Sequence, residues 1–238
     1  MKRFANINVS LRHVICIFFR TILHWRYDVK ISGLETFNQN TTFLIFPNHQ
    51  AVIDPIILFS EFHKQKIQPL VDEVYFKNPI FRKILSLFEA ICVPDLGKSR
   101  KGLEQARQLQ ELTLKSLKGG KNVLFYPSGH ITLDGQETIG NRQLAYNVCK
   151  NLPQNVTIVC IKTNGRWGRI WSRYKKKRTP SIPKTLLKSF GLIICGKLFE
   201  KKRVVKISIQ PMTEELKLWA EEDKLTFNKR LEKFYNSN

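Results

Sequence analysis

Six short apolar runs, rich in β-branched and aromatic residues, alternate along the chain with longer amphipathic stretches, and this alternation limits the fold more than any other feature. The runs are Phe43–Phe46, Ile67–Val71, Ile91–Val93, Asn122–Tyr126, Val156–Ile161 and Arg203–Ile209, each of strand length. Asp54–His63, Pro79–Phe88, Lys101–Lys118, Glu137–Lys150 and Glu214–Tyr235 have helical spacing. The plainest of these is Lys101–Lys118, where Ser99 can cap the start, Leu103, Ala106 and Leu109 line one side, and Gly119-Gly120 stop the helix. Strands alternating with helices predict an α/β fold: a single layered domain with a mixed central sheet flanked by helices. No repeat or Pro/Gly/Ser linker divides the 238 residues. Ligands on such sheets bind where strands run into loops, so chemistry is sought in the loops that follow the strands.

Charge restricts the partners. Forty Lys and Arg stand against nineteen Asp and Glu, a net charge of +21, while a hydrophobic content of 42% excludes a disordered chain. The excess is concentrated. Residues 162–206 carry fifteen basic residues and one acid, Glu200, interleaved with Trp167, Ile170, Trp171, Tyr174 and the apolar run Phe190–Cys195. A charge run can be a solvated face, but basic residues mixed with Trp and a short apolar segment also suit an anionic membrane surface. Nucleic acid is not expected as a partner, because no zinc pattern, RNP-like block or recognition-helix signature accompanies the charge.

The first 26 residues predict an amphipathic helix. Val9, Ile15, Phe18, Phe19 and Ile22 fall at helical spacing, punctuated by Arg12, Arg20, His24 and Arg26, with Trp25 near the end. Its longest unbroken apolar run, Val14–Phe19, is six residues, far short of the ~20 a spanning helix needs and short for a signal-peptide core. Such a helix can lie in the membrane interface or pack on the domain's own core. Five scattered cysteines without a Cys-x-x-Cys pair argue for a reducing compartment and against a disulfide framework or structural zinc. The expectation is a peripheral membrane protein on the cytoplasmic face, without a metal.

Directly after Phe43–Phe46 comes Pro47-Asn48-His49-Gln50-Ala51-Val52-Ile53-Asp54-Pro55. A His and an Asp five residues apart can meet where a loop turns into a helix, and Pro55 suits the first turn. A carboxylate held against one imidazole nitrogen fixes the tautomer and leaves the other free to take a proton. That makes His49 a candidate general base and Asp54 its orienter. The competing reading has Asp54 capping a helix and His49 as an ordinary loop residue.

The context of this motif resembles the lysophospholipid (1-acylglycerol-3-phosphate, PlsC-like) acyltransferase family. Tyr27-Asp-Val-Lys-Ile-Ser-Gly33-Leu-Glu35, a short apolar strand and Asn48-His49-x4-Asp54-Pro55 follow one another as in that family. Tyr126-Pro127-Ser128-Gly129 is similar to its Phe-Pro-Glu-Gly block, and Lys206–Pro211 to its closing strand. The resemblance implies an acyltransferase domain over residues 27–238, with residues 1–26 as a membrane-interface helix. It also implies direct transfer of an acyl group from acyl-CoA or acyl-carrier protein to a lysolipid hydroxyl, without a cofactor. His49 and Asp54 would be catalytic, and Asn48, Pro127, Ser128 and Gly129 would belong to the substrate site.

Three positions depart from the family pattern. Ser128 stands where Glu is usual, Ile131 where Arg is usual, and Ala90-Ile-Cys-Val-Pro94-Asp95 ends in an acid instead of an Arg. Losing those groups forfeits charge-assisted bonds to an acceptor phosphate. Lys98, Arg100 and Lys101, or Arg142 in Gly140-Asn141-Arg142, are the available substitutes, although each could equally be a solvated cation. Family members with Tyr-Pro-Ser-Gly also carry a nearby Gly-Asn-Arg and a tail like Leu231–Asn236. The alternative function is a catalytically inactive, membrane-associated lipid-binding protein of the same fold.

Overall fold

The computed structural model describes residues 2–37, 40–95, 97, 99–167, 170–174, 179–181, 184–185, 188 and 202–237, with side chains from Leu11 onward. Its centre is a seven-stranded sheet: β1 (Tyr27–Ser32), β2 (Thr42–Pro47), β3 (Ile67–Asp72), β4 (Ile91–Val93), β5 (Asn122–Leu124), β6 (Val156–Asn164) and β7 (Arg203–Pro211), in the order β1-β7-β6-β2-β5-β3-β4. All neighbours are parallel except β6 and β7, so β1 and β7 run opposite to the other five strands and the sheet is mixed.

β2 lies in the middle and all six of its residues are buried, which is why its sequence is continuously apolar instead of alternating. Successive side chains still point to opposite faces. Phe43 and Ile45 pack with Leu124, Val159 and Ile161 against α1 (Lys2–Arg26) and α2 (Asp54–Glu61), through Leu23, Ile57 and Leu58. Leu44 and Phe46 pack with Val123, Ile158 and Cys160 on the other side. There they meet α5 (Arg100–Lys118), α6 (Leu144–Lys150), α7 (Thr213–Glu221) and α8 (Lys224–Asn236). Two shorter helices, α3 (Glu73–Phe76) and α4 (Pro79–Leu87), precede the edge strand β4.

The structure redraws several of the expected elements. The segment Tyr27–Ser32 is a full strand, paired in parallel with β7 over six residues. The helix expected from Glu137 begins only at Leu144, because residues 137–142 are held as a loop by α8. Asn236 brackets the Glu137 backbone on both sides, Glu232 accepts from Ile139 N and Gly140 N, and Asn228 donates to Gly140 O and Arg142 O. The expected Glu214–Tyr235 helix is two helices, since Asp223 turns out of helical geometry and caps α8 by accepting from Leu225 N and Thr226 N. Ser99 caps α5 as expected, but its inward stripe is Gly102, Leu109, Thr113 and Leu117, while Leu103 faces out.

α1 does two things at once. Cys16 and Leu23 are buried against the body, and Arg12 reaches Ile67 O at 2.8 Å. Glu61, at the far end of α2, takes Arg20 at 3.1 Å and His24 at 2.6 Å. The opposite face exposes Leu11, Val14, Ile17, Phe18 and Trp25. Among the described residues, no helix is long and apolar enough to cross a membrane.

Candidate active site

The C-terminal ends of the parallel strands β2, β5 and β6 meet at one edge of the sheet, and the loops leaving them build one site. From β2 the chain runs directly into Asn48 and His49. Asn48 is buried and locked to β6: its side chain donates to Thr163 O at 3.1 Å and accepts from Thr163 N at 2.7 Å and Thr163 Oγ1 at 2.5 Å. It therefore fastens the loop to β6.

His49 follows this fixed point. Its Nδ1 lies 3.1 Å from Asp54 Oδ2, the first residue of α2, with Pro55 in that first turn. The same oxygen accepts from Gln50 N at 2.6 Å and Ala51 N at 2.9 Å. A carboxylate has no proton to give, so His49 donates through Nδ1 and its Nε2 is left as the basic nitrogen. Nε2 bonds no described residue, and the side chain retains 15% exposure while Asp54 retains none. The Tyr126 ring, just past β5, stacks on the imidazole at a centroid distance of 3.9 Å and 19° between planes. The imidazole is thus held by a bond at one nitrogen and by a ring face.

Around this pair the backbone is pinned from two directions. His49 N donates to Glu137 Oε2 at 3.0 Å and His49 O accepts from Thr132 N at 2.9 Å, both from the loop after β5. Val52 N donates to Trp171 O at 2.9 Å, from the loop after β6. Pro127 and Ser128 are buried in a turn closed by Gly129 N to Tyr126 O, 2.9 Å. Gly129 has φ +65°, and the Arg142 guanidinium lies beside it. Ser128 Oγ donates to His130 O at 3.0 Å and also faces the Glu137 carboxylate. Burial pushes the Glu137 carboxyl up, against the downward pull of the nearby Ser128 hydroxyl and of the bond from His49 N.

The other sequence candidates are scattered. Arg142, exposed, shares the rim with Gly129. Arg100 is exposed at the start of α5, with β5 and β3 between its preceding strand β4 and β2. Lys98 lies outside the described residues. Asp95 is exposed after β4. Among the described residues, no group of three or more His, Cys, Asp or Glu side chains could hold a metal ion.

Two residues that touch the His49–Asp54 pair escape sequence reasoning. Glu137 reads as the start of a helix, and only the α8 tail keeps it in the loop where it reaches His49 N. Arg166 reads as one cation among fifteen, yet it is 2% exposed and its Nε sits 2.7 Å from Asp54 Oδ1. Its neighbour Trp171 is buried too, so part of the basic, Trp-bearing stretch belongs to the interior.

Together these features define a layered α/β protein with a His–carboxylate pair at the C-terminal edge of its sheet. The sequence model of the Acyltransferase family matches residues 28–162, and the chain belongs to that family: it is an acyltransferase. The crystal structure of a 1-acyl-sn-glycerophosphate (LPA) acyltransferase, PlsC, from Thermotoga maritima has the same fold. It is 18% identical, with a TM-score of 0.59 over 100% of this chain and 85% of that one. A comparison with curated proteins found no match.

Proposed function

We propose that the protein transfers a fatty acyl group from an acyl-CoA or acyl-carrier-protein thioester to the hydroxyl of a lysophospholipid-type acceptor, with His49 as general base. The observation that carries this reading is the His49–Asp54 contact at 3.1 Å, which leaves Nε2 facing outward from a fixed ring. Nε2 takes the proton of the acceptor hydroxyl as its oxygen bonds to the thioester carbonyl carbon. The tetrahedral centre then expels the thiolate, which leaves as a thiol after taking that proton from His49. A thioester is already activated, so positioning and a base suffice, and the reaction needs no cofactor. Gly129 and Arg142 form the exposed rim of this turn, with Pro127 and Ser128 buried beneath it, and the four are assigned to acceptor binding. Arg142 is the cation assigned to meet a phosphate, with Arg100 further away at the start of α5; Lys98, outside the described residues, is retained as a candidate from the sequence alone.

The test is incubation of the purified chain with a lysolipid panel and both donor types, with products identified by mass. His49→Ala is expected to lower turnover about 10²–10⁴-fold, the usual contribution of a positioned base, with unchanged circular dichroism. Near wild-type turnover in that variant would sink the mechanism. No product from any pair in the wild type would favour an inactive lipid-binding protein.

The acceptor is a lipid, and the reading extends to the anionic, cytoplasm-facing membrane surface that supplies it. The exposed face of α1, with Val14, Phe18 and Trp25, and the protein's basic charge support that docking. Phe18→Ser with Trp25→Ser is expected to reduce co-sedimentation with phosphatidylglycerol vesicles several-fold; undiminished binding would remove α1 from the interface.

A further inference from the structure

Both oxygens of Asp54 face a partner, but only Oδ2 accepts hydrogen bonds, and it is the one that serves the histidine. Oδ2 gathers His49 Nδ1, Gln50 N and Ala51 N, whereas Oδ1 has Arg166 Nε at 2.7 Å. That approach is too oblique for a hydrogen bond, so the contact is an ion pair, and none of Nε, Nη1 and Nη2 of Arg166 has a hydrogen-bond acceptor among the described residues. A guanidinium 2% exposed with spare donors is expensive to bury. What offsets the cost here is charge: a fully buried carboxylate opposite it.

The backbone is shaped to deliver this cation. β6 ends at Asn164, and Gly165 adopts φ +99° where a Cβ would lie 2.3 Å from Val204 O. Only glycine passes that point without strain, and the turn sends Arg166 back under the 48–54 loop, where its own N–H meets Gln50 Oε1 at 3.4 Å. Arg166 also sits among the aromatic hydroxyls around Asp54, close enough to act electrostatically on Tyr126 and Tyr27. It touches Asp54 on the oxygen that does not face His49.

Resting on the reading of His49 as the base, we infer that Arg166 is a positioning residue: it holds the Asp54 carboxylate in one orientation, so that Oδ2 always presents an acceptor to His49 Nδ1. It does not grip the acceptor lipid. Arg166 acts on the rate through Asp54 alone. A non-ionic side chain at 166 would leave a lone buried charge free to turn or hydrate, and the Nε2-basic tautomer of His49 would lose its dominance.

The experiment compares Arg166→Met, Arg166→Lys, Asp54→Asn and the double variant Asp54→Asn/Arg166→Met. Substrates are 1-acylglycerophosphate and palmitoyl-CoA, or whichever pair of the panel reacts fastest. Arg166→Met is expected to lower kcat at least tenfold while KM for both substrates stays within twofold, and Arg166→Lys to recover a large part of the loss. In the Asp54→Asn background, adding Arg166→Met should change kcat less than twofold. A tenfold rise in acceptor KM at unchanged kcat, or a full extra loss in the Asp54→Asn background, overturns the inference. Should Arg166→Met not fold, imidazole ¹⁵N spectra decide: wild type must hold its proton on Nδ1 of His49, and Arg166→Lys must keep it there. A wild-type proton on Nε2 overturns the inference. Full turnover in His49→Ala would instead remove the underlying reading, so the two failures are distinguishable.

Discussion

Two carboxylates mark the two ends of α2, and each is shared by one histidine and one arginine. At the start, Asp54 holds His49 and Arg166; at the end, Glu61 holds His24 and Arg20. Both acids are sealed, with side-chain exposures of 0% and 2%. Their partners are not alike. Arg166 and His49 retain 1% and 15%, whereas Arg20 and His24 retain 47% and 38%. The attachment differs as well: His49 uses Nδ1 and keeps Nε2 clear, while His24 spends Nε2 on Glu61. The same trio of residue types therefore gives a candidate base at one end and a clamp for α1 at the other. Burial and the choice of ring nitrogen decide which.

The comparison can be broken from either end, and the effects should differ in size. Asp54→Asn should be the most damaging change. Its amide cannot satisfy Gln50 N, Ala51 N and Arg166 together, and it leaves Arg166 as an unpaired buried charge, at a cost of about 3–5 kcal/mol. Turnover should fall roughly 10²–10⁴-fold with it. Denaturant melts and initial rates check both parts, and a mild loss of either would mean that Asp54 is only a helix cap.

Glu61→Gln should cost much less. Arg20 and His24 are exposed enough for water to take over, so a screened pair of this kind is worth about 1 kcal/mol at most. Turnover per folded molecule on a soluble short-chain lysolipid should stay within twofold. A loss as deep as that of Asp54→Asn would show that the clamp, too, is part of the site.

The smallest effect expected is a change of slope. Burial raises the Glu137 carboxyl above its ordinary 4.5, so the folded chain keeps that proton longer than the unfolded chain. Stability contributed by Glu137 is then greatest below about 4.5, falls as pH rises through the raised value, and stays low above it. Glu137→Gln removes this dependence while keeping an oxygen for His49 N. Urea midpoints between pH 4 and 7 should therefore move in favour of the variant as pH rises. A difference constant with pH would mean that Glu137 does not titrate in this window.

Much of the molecule was legible in its residues, and the failures share a cause. Phe43–Phe46 announces the central strand because a segment buried on both faces must be apolar throughout, and Ile67–Val71 and Val156–Ile161 are read as strands from their mainly apolar, β-branched composition. Tyr27–Ser32 was not read as a strand, since Asp28, Lys30 and Ser32 give it polar alternation, and it is an edge strand held by pairing to β7. Glu137 was misread because helical spacing is local, whereas Asn236 holds its backbone, and Glu232 that of Ile139 and Gly140, from about a hundred residues away. Ser128 looked like the loss of a family carboxylate. In space, Glu137 brings a carboxylate to the same turn.

What the sequence determined by itself was the alternation that makes an α/β sheet and the five-residue spacing that lets His49 meet Asp54, because both are short-range properties of the chain. Only the tertiary structure decided that Arg166 lies beneath Asp54 while Arg20 stays in water, and that α1 presents apolar residues on both its faces. Hydration separates these cases. A cation reads the same in a sequence whether it is solvated or sealed against a carboxylate, and the packing of distant segments settles which it is.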